Sequence, residues 1–359
     1  MKRVFISLMT IVALAAMARA QFSPGNLAVF RVGDGTQTLA NTGNSIFVDQ
    51  FTTGGSRVNS LAVPASGVSA LIVSGSATSE GALSLSADGR YLTFAGYNTG
   101  LPYGSSLAGT KSSDVARGVG RLDANGNYTL AATTGTSFNK NNVRAAVSDG
   151  AGNYWAAGAN SGTVYMGTTA PAGAVQAAVA NTRVLNIING NLYFSTGSGG
   201  TYGIYEFDGT PSGGATAALV IATGAGSSPY GFAINGTVAY IADDGSSAPG
   251  IQRYDYDGTT WTLSYTLGTG SSNGARGLAV DFSGTDPVIY ATTGESSANR
   301  LIAITDTGAG STVATLDTAA ANTAFRGLAF TPAPEPGSWV LMLAGGGTLV
   351  LLRRWNQNH

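Results

Sequence analysis

The sequence predicts an all-β protein with the architecture of a β-propeller, and two observations support this. The first is composition, because 52 of the 359 residues are glycine, only 10% are charged, and apolar residues recur in short runs. Such a chain is typical of short strands joined by many turns. The second is a repeat, because six short motifs align at successive spacings of 64, 39, 47, 46 and 50 residues. Periods of about 40 to 50 residues with several strands per repeat predict a propeller.

Each repeat begins with one of the aligned motifs, which we expect to form the innermost strand of a blade. The six motifs are Glu80-Gly81-Ala82-Leu83, Arg144-Ala145-Ala146-Val147, Arg183-Val184-Leu185-Asn186, Tyr230-Gly231-Phe232-Ala233, Arg276-Gly277-Leu278-Ala279 and Arg326-Gly327-Leu328-Ala329. A second strand follows, often after a turn signal such as Asn235-Gly236. Third and fourth strands follow in turn, as in Ile251 to Tyr254 and Trp261 to Leu267. Four short antiparallel strands make one blade.

The number of predicted strands indicates six blades. Five complete blades begin near residues 80, 144, 183, 229 and 275, and Phe325 to Thr331 supplies one further strand. Three strands near the N-terminus complete a sixth blade with it, and they are Leu27 to Val32, Ile46 to Phe51 and Val58 to Val63. A blade shared between both ends closes the ring and removes free strand edges. The Gly- and Ser-rich insertion Tyr97 to Ser113 is expected to be a loop. If it and Val68 to Val73 contained strands, the ring would have seven blades.

One position, directly before the first strand of each repeat, is a candidate ligand site. We call its six occupants the slot residues, and they are Glu80, Arg144, Arg183, Tyr230, Arg276 and Arg326. Because first strands line the channel of a propeller, these residues are expected to form a ring at one mouth. Arginine there could bind an anionic or polyhydroxyl ligand through its planar set of donors. The alternative is structural: the arginines would bond carbonyls of the neighbouring blade, or pair with carboxylates such as Asp149 and Asp281.

Composition excludes several classes of function. The net charge is −1 and no run of Lys or Arg lies in residues 21–333, so nucleic-acid binding has no electrostatic basis. The chain has no Cys, and its only histidine is His359. This excludes Ser-His-Asp and Cys-His catalytic sites and the usual zinc sites from the body of the protein.

We expect no enzymatic activity, but one catalytic alternative stays open. A propeller hydrolase or lactonase can hold a divalent metal in the channel with acid and amide oxygens, without histidine. Glu80 is the only acid among the slot residues, and Asn142, Asn181 and Asn186 lie near first strands. These four residues are the candidate ligands for that alternative.

Acidic stretches elsewhere predict turns, so no cofactor is expected, and calcium is the alternative. The stretches are Asp123-Ala124-Asn125-Gly126-Asn127, Asp243-Asp244-Gly245 and Asp255-Tyr256-Asp257-Gly258. The first partly resembles an oxygen-rich calcium loop, but Thr134 stands where such a loop needs a bidentate Glu. Asp and Asn before Gly are ordinary turn residues.

The N-terminus predicts an export signal over residues 1–20. Lys2 and Arg3 precede an apolar stretch from Val4 to Ala16, and Ala18 and Ala20 form an A-x-A cleavage site. The mature chain is expected to start near Gln21.

The C-terminal 26 residues, 334–359, form a second predicted signal. Pro334-Glu335-Pro336 precedes an apolar run from Ser338 to Leu352, followed by Arg353 and Arg354. As a helix this run would be about 22 Å long at about 1.5 Å per residue, short against a bilayer core of about 30 Å. A plain C-terminal anchor, with the arginines on the cytoplasmic side, is one interpretation.

The order of these elements resembles the PEP-CTERM sorting signal of Gram-negative bacteria. The resemblance covers about 22 residues and implies that a membrane enzyme, an exosortase, recognises and processes the tail after export through the Sec machinery. It implies an inner-membrane-anchored intermediate and then a location at the cell surface or outside the cell. In that family the tail accompanies exopolysaccharide production, so exopolysaccharide is an implied partner. For residues 21–333, we therefore expect a non-catalytic binding or scaffold propeller.

Overall fold

The structure is a computed structural model that describes residues 22–167, 173–198 and 201–333. The predicted export signal, residues 1–20, and the predicted sorting signal, residues 334–359 with its apolar run 338–352, lie outside the described residues. Within the described ranges the chain forms 24 β-strands. No helix in those ranges is long and apolar enough to cross a membrane.

The strands are short and follow the alternation of apolar runs and Gly-, Asn- and Asp-rich turns that the sequence shows. In chain order they are β1 (Leu27–Val32), β2 (Ile46–Phe51), β3 (Arg57–Ala62), β4 (Leu83–Leu85), β5 (Tyr91–Tyr97), β6 (Arg117–Asp123), β7 (Tyr128–Thr134), β8 (Val143–Ser148), β9 (Tyr154–Gly158), β10 (Thr163–Tyr165), β11 (Gly173–Gln176), β12 (Thr182–Ile188), β13 (Asn191–Ser198), β14 (Thr201–Glu206), β15 (Ala218–Ala222), β16 (Pro229–Asn235), β17 (Val238–Asp243), β18 (Gly250–Tyr256), β19 (Trp261–Leu267), β20 (Ala275–Asp281), β21 (Val288–Thr293), β22 (Arg300–Thr305), β23 (Val313–Thr318) and β24 (Ala324–Phe330).

The strands form six antiparallel sheets of four, so the fold is a six-bladed β-propeller, as predicted. Blade 1 has the order β24-β1-β2-β3, and blades 2 to 6 are β4–β7, β8–β11, β12–β15, β16–β19 and β20–β23. The innermost strands are therefore β24, β4, β8, β12, β16 and β20. The seven-bladed alternative is wrong, because Tyr97 is the end of β5 and the rest of the insertion carries no strand. Ile72 and Val73 form only isolated bridges, to Tyr97 and Asn44.

Blade 1 closes the ring by joining the two ends of the described chain. Strand β24 pairs antiparallel with β1, with Leu27 opposite Phe330 and Val32 opposite Ala324. A propeller blade at this position has no other source for its innermost strand. Closure therefore depends on β24, which protects an edge that would otherwise be free to pair with another chain.

The hydrophobic core is divided into six clusters, one in each gap between neighbouring blades. Phe30 and Phe94 meet edge-to-face at 5.5 Å between blades 1 and 2, and Tyr290 meets Phe330 at 6.1 Å between blades 6 and 1. Burying such side chains stabilises each by about 1.5 to 3 kcal/mol. Because each cluster belongs to two sheets, the cores hold the blades to one another.

One gap also contains a buried polar cluster. Asp306, at the end of β22, is 3% exposed and accepts hydrogen bonds from Arg253 Nη1 at 2.9 Å and Tyr265 OH at 2.8 Å, and from Tyr240 OH. Burial alone would raise the pKa of Asp306, but the bonds from Tyr240, Arg253 and Tyr265 outweigh it and hold the pKa below its ordinary value. This carboxylate ties blade 6 to blade 5.

Both ends of the described chain are fastened to the propeller. Phe22 is 1% exposed, and its N–H donates to Ala124 O at 3.0 Å. At the other end, Ala333 N donates to Gly89 O at 2.9 Å. Gly89 belongs to the turn after β4, at the end of the inner strands opposite the slot residues. The chain therefore leaves the propeller on the face opposite Arg326.

Candidate functional site at the mouth of the central channel

The glycine that follows three of the slot residues brings neighbouring inner strands into close contact. A Cβ on Gly277 would lie 2.4 Å from Arg326 O, and a Cβ on Gly231 would lie 2.8 Å from Arg276 O. A Cβ on Gly327 would lie 2.1 Å from Leu83 N. Because real Cβ contacts essentially never fall below 3.0 Å, only glycine allows this approach. The repeat motif thus draws the slot residues of blades 5, 6, 1 and 2 together at one mouth.

Each slot arginine donates a hydrogen bond to a backbone carbonyl, which belongs either to another blade or to the loop before another blade's inner strand. The bonds are Arg144 Nη1 to Thr182 O at 3.3 Å, Arg183 Nη1 to Pro229 O at 3.4 Å, Arg276 Nη1 to Thr78 O at 2.9 Å and Arg326 Nη2 to Gly75 O at 2.9 Å. The carbonyl bonds expected under the structural alternative are therefore present. Three of the arginines also donate to side chains: Arg144 to Asn181 Oδ1, Arg183 to Ser228 Oγ and Arg276 to Asp244 Oδ2.

Asp244 is the carboxylate that pairs with two of these arginines, Arg276 and Arg183. Its Oδ2 accepts from Arg276 Nε at 2.6 Å, and its Oδ1 lies 4.0 Å from Arg183 Nη1. Both guanidinium groups also lie over the ring of Tyr230, with their central carbons 4.3 Å (Arg183) and 5.2 Å (Arg276) from its centroid. Such cation–π contacts stabilise by about 0.5 to 2 kcal/mol. This arrangement fixes the orientation of Arg276.

The expected pairing with Asp149 and Asp281 is wrong. Asp149 Oδ1 accepts from the N–H groups of Ala151 and Asn153 in its own turn. Asp281 Oδ1 accepts from Ser283 N at 2.9 Å. Both carboxylates cap hairpin turns at the ends of inner strands, which places them at the opposite face from the arginines.

Glu80 is a buried link between blades 2 and 3, with 3% of its surface exposed. Its Oε1 accepts from Tyr97 OH at 2.6 Å and from Asn142 Nδ2 at 2.5 Å, and its Oε2 accepts from Ser74 N at 2.9 Å. Burial raises the pKa of Glu80 in spite of these bonds and of the nearby Arg326 charge, which lower it.

Arg326 is the slot residue whose bonding is least complete. It is 6% exposed. Among the described residues, its side chain makes one hydrogen bond, from Nη2 to Gly75 O, and its Nε has no partner. Burial and the neighbouring positive charge of Arg276 lower the pKa of Arg326 to about 10, although Glu80 and Tyr230 oppose the shift. A buried guanidinium without a carboxylate is costly unless something else compensates it. An anion in the channel mouth would do so.

Arg144 is the second slot arginine that is buried without a described carboxylate within 4.0 Å. It is 9% exposed, and its Nε also lacks a partner there. Burial lowers the pKa of Arg144, whereas the nearby Tyr230 raises it. Of the four slot arginines, two therefore lie within 4.0 Å of Asp244, and two have no described carboxylate within that distance. The mouth carries a cationic surplus at its closest contacts.

A cavity of about 290 Å³ begins at this mouth and continues along the inner strands. Four slot residues line it, namely Glu80, Tyr230, Arg276 and Arg326, whereas Arg144 and Arg183 are not among its lining residues. Blade 3 does not reach the cavity, because Ser84 Oγ donates to Leu185 O at 2.7 Å and joins β4 directly to β12. The six slot residues were expected to form a ring around the mouth. Four of them line the cavity, and Arg144 and Arg183 do not.

Below the mouth, the walls are mainly apolar. The residues that supply them from the five lining blades are Leu83, Val184, Phe232, Leu278 and Leu328. Two polar side chains on the walls have donors committed to backbone carbonyls: Ser84 bonds Leu185 O, and Asn186 Nδ2 bonds Phe232 O at 2.9 Å. At the far end the lining consists of half-buried Ile188, Ile234 and Phe330.

The acidic stretches that were considered as calcium sites form turns or ion pairs. Asp123 Oδ1 accepts from the N–H groups of Asn125 and Asn127, which closes the turn between β6 and β7. Asp257 Oδ1 accepts from Thr259 and Thr260 N in the turn between β18 and β19. These carboxylate oxygens are engaged by their own turns.

The amides considered as metal ligands do not gather around Glu80. Asn142 does contact it, but Asn181 accepts from Arg144 and Asn186 donates to Phe232 O. Within residues 22–167, 173–198 and 201–333, no group of three or more His, Cys, Asp or Glu side chains could hold a metal ion.

Comparisons with known proteins agree with the fold. No family model matches the chain, and no curated protein is significantly similar to it. A chain of the nidogen–laminin complex superposes with a TM-score of 0.51 at 11% identity, covering 85% of this chain and 98% of that one. TolB from Acinetobacter baumannii superposes with a TM-score of 0.51 at 12% identity, covering 86% and 67%.

A third similar structure is a periplasmic gluconolactonase of Pseudomonas aeruginosa, with a TM-score of 0.48 at 14% identity, covering 83% of each chain. At this level of similarity it carries no argument about activity. The first two structures, at 11% and 12% identity, support the propeller fold alone. The protein is therefore a six-bladed β-propeller, and its function has to be argued from its own residues.

Proposed function

We propose that this protein is a non-catalytic binding propeller that takes a small anionic ligand at the arginine mouth of its channel. The observation that carries the proposal is Arg326, a buried guanidinium that lines the cavity with an unpartnered Nε and without a carboxylate partner. Arg276 lines the same cavity and is held rigidly by Asp244 and Tyr230. Rigid, partly desolvated donors suit recognition of a carboxylate or similar anion.

The arrangement favours binding over catalysis. A hydrolytic site needs a nucleophile or activated water next to a base, and a metal-assisted one needs several oxygens around one point. Two acids line the mouth. The oxygens of Glu80 already accept three hydrogen bonds, and Glu295 pairs with Arg300 at 3.4 Å. The metal-dependent hydrolase therefore has no specific support from the geometry.

We also propose that the protein is exported and displayed at the cell surface. Supporting this are the two terminal patterns of the sequence and their position relative to the fold. The predicted signals flank the propeller in the sequence, because its first strand begins at Leu27 and its last strand ends at Phe330. Sec machinery and an exosortase would act on the two ends, and exopolysaccharide would be the surrounding partner.

Thermal unfolding with ligand panels tests the binding proposal. Small carboxylates and sugar acids should raise Tm, whereas neutral sugars should not. Arg276→Ala should abolish the ligand-dependent rise, measured against the variant's own unliganded Tm. Arg121→Ala is the matched control, because Arg121 bonds Tyr154 OH on the blades away from the channel. An unchanged rise in Arg276→Ala would refute the proposal.

Cell fractionation tests the location. In cells with the exosortase, we expect the protein at the surface or in the medium, and in cells without it, in the inner membrane. Replacing Pro334 and Pro336 by Ala should reproduce the exosortase-deficient pattern. Identical distribution in all three strains would contradict the sorting proposal while leaving the binding proposal unaffected.

A further inference from the structure

The chemistry of the channel changes along its length. At the slot end, Arg276 and Arg326 line the cavity together with two acids, Glu80 and Glu295, and Glu295 Oε1 lies 3.4 Å from Arg300 Nη2. One buried guanidinium nitrogen there, Arg326 Nε, has no partner among the described residues. Beyond them the side chains of the wall are mainly Leu, Val, Ile and Phe from five blades. A single cavity thus has buried guanidinium groups at one end and mainly apolar walls along its length.

The apolar part offers few free hydrogen-bond donors from side chains. Ser84 and Asn186 use theirs on Leu185 O and Phe232 O. Inner-strand backbone groups are also paired across blades, as in Ala82 N to Arg144 O at 3.1 Å and Gly327 N to Gly81 O at 2.8 Å. A hydroxyl-rich ligand would lose its hydrogen bonds to water on entering this region and would find few new partners there. The free-energy cost of its desolvation would therefore be poorly compensated.

Size excludes a polymer inside the channel. The volume of about 290 Å³ is at the small end of the range for small-molecule pockets, about 300 to 1,000 Å³. A polysaccharide chain could touch the rim but could not fill the cavity. A small molecule could place its charged group on the arginines and its remaining atoms between the apolar walls.

We infer that the ligand is a small amphipathic anion, with a carboxylate or similar group at Arg276 and Arg326 and an unbranched or aromatic apolar body in the channel. This inference rests on the proposed function and narrows it. The charged group compensates Arg326, whose Nε is orphaned. The apolar body covers Val184, Leu278 and Leu328 and displaces water from surface that is otherwise wetted. Hydrophobic contact then supplies affinity that grows with the length of the apolar body.

Titration calorimetry of the full chain with butanoate, hexanoate and octanoate tests the inference. We expect the affinity to rise by about fourfold per added methylene, which corresponds to about 0.8 kcal/mol per buried CH₂. The alcohols of the same lengths should bind far more weakly, because they lack the charge. Glucuronate, a carboxylate with hydroxyls in place of an apolar body, should bind no better than acetate.

Two variants locate the effect in the channel. Val184→Thr keeps the shape of the wall and adds a hydroxyl, so the gain per methylene should shrink. Val220→Thr makes the same change on β15, outside the channel, and should leave the gain unchanged. The C-terminal segment is identical in all variants, so differences among them report the channel.

The outcomes separate this inference from the proposed function. If glucuronate and the alkyl carboxylates bind equally and Arg276→Ala abolishes both, the anion site stands and the amphipathic ligand is wrong. If affinity rises with length but Val184→Thr and Val220→Thr behave alike, the alkyl body lies elsewhere and the inference is also wrong. If no anion binds, both proposals fail together.

Discussion

Replacing Gly277 by alanine should open the seam between blades 6 and 1. The new Cβ would lie 2.4 Å from Arg326 O and 2.5 Å from Thr292 Oγ1. To reach the 3.0 Å below which real Cβ contacts essentially never fall, the strands β20 and β24 would have to separate by at least 0.6 Å. The main obstacle is backbone, which cannot rotate out of the way.

The same methyl group would disturb a hydrogen-bonded bridge. Gly277 N donates to Thr292 Oγ1 at 2.9 Å, and Thr292 Oγ1 donates to Arg326 O. Overpacking costs about 1 to 3 kcal/mol, and weakening buried hydrogen bonds adds about 1 kcal/mol each. Alanine restricts the unfolded chain and returns about 0.4 to 1 kcal/mol. The free energy of unfolding should therefore fall by about 2 to 4 kcal/mol.

Differential scanning calorimetry measures the effect. An unfolding entropy of about 2.1 cal/mol/K per residue, applied to a propeller of this size, converts the loss into a Tm lowered by about 3 to 6 °C. The matched control is Gly268→Ala, because Gly268 is exposed and no atom lies within 4 Å of its Cβ. The control should leave Tm unchanged or slightly raised. If the two variants melt at the same temperature, close approach of the inner strands is not what the repeat glycine provides.

Three further predictions concern charge and closure. Asp306→Asn should lower the free energy of unfolding at neutral pH by about 2 to 4 kcal/mol. Because the native pKa of Asp306 is depressed, its contribution should begin to decline as pH falls below about 4 and should be lost as pH falls through the native pKa. In urea unfolding, the difference between variant and parent should therefore shrink as pH is lowered from about 7 into the acid range, and a loss that is equal at every pH would contradict this. Glu80→Gln should flatten the dependence of stability on pH above about 4.5, because the raised native pKa of Glu80 makes folding less favourable as the carboxyl ionises; parallel curves for variant and parent would show that Glu80 titrates normally. A chain ending at Ala333 should unfold cooperatively by circular dichroism, whereas one ending at Thr323 lacks β24 and should not, and cooperative unfolding of both would mean that ring closure contributes little.

The strand pattern could be predicted because it depends on local sequence. Leu27 to Val32 and Ile46 to Phe51 were predicted with the bounds that the structure shows, since each is an apolar run between turn residues. The repeat also predicted which residue stands at the channel end of each inner strand. Both kinds of information are periodic along the chain, and periodicity is what a single sequence displays best.

The partners within the site could not be predicted, because they depend on how the blades meet. Asp244 lies 32 positions before Arg276 and looks like any other turn residue in the sequence. Its role follows from the position of the β17 end beside the next blade. Likewise, β4 and β12 meet at the channel through the bond from Ser84 to Leu185 O, which joins residues 101 positions apart. Tyr97 was missed as a hydrogen-bond donor to Glu80 for the same reason, and Asn142 was considered beside Glu80 only as a metal ligand.

The exit of the chain gives the molecule a direction. Arg326 and Ala333 belong to one continuous segment, yet the first lies at the cationic mouth and the second bonds Gly89 at the opposite face. If the residues after Ala333 hold the protein at a bilayer as proposed, the propeller stands on its apolar end and its cationic opening points outward. Proteolytic release of the tail would then cut the tether on the far side from the ligand. Binding of the ligand at the mouth and release of the protein from the membrane could thus occur in either order, and neither event would obstruct the other.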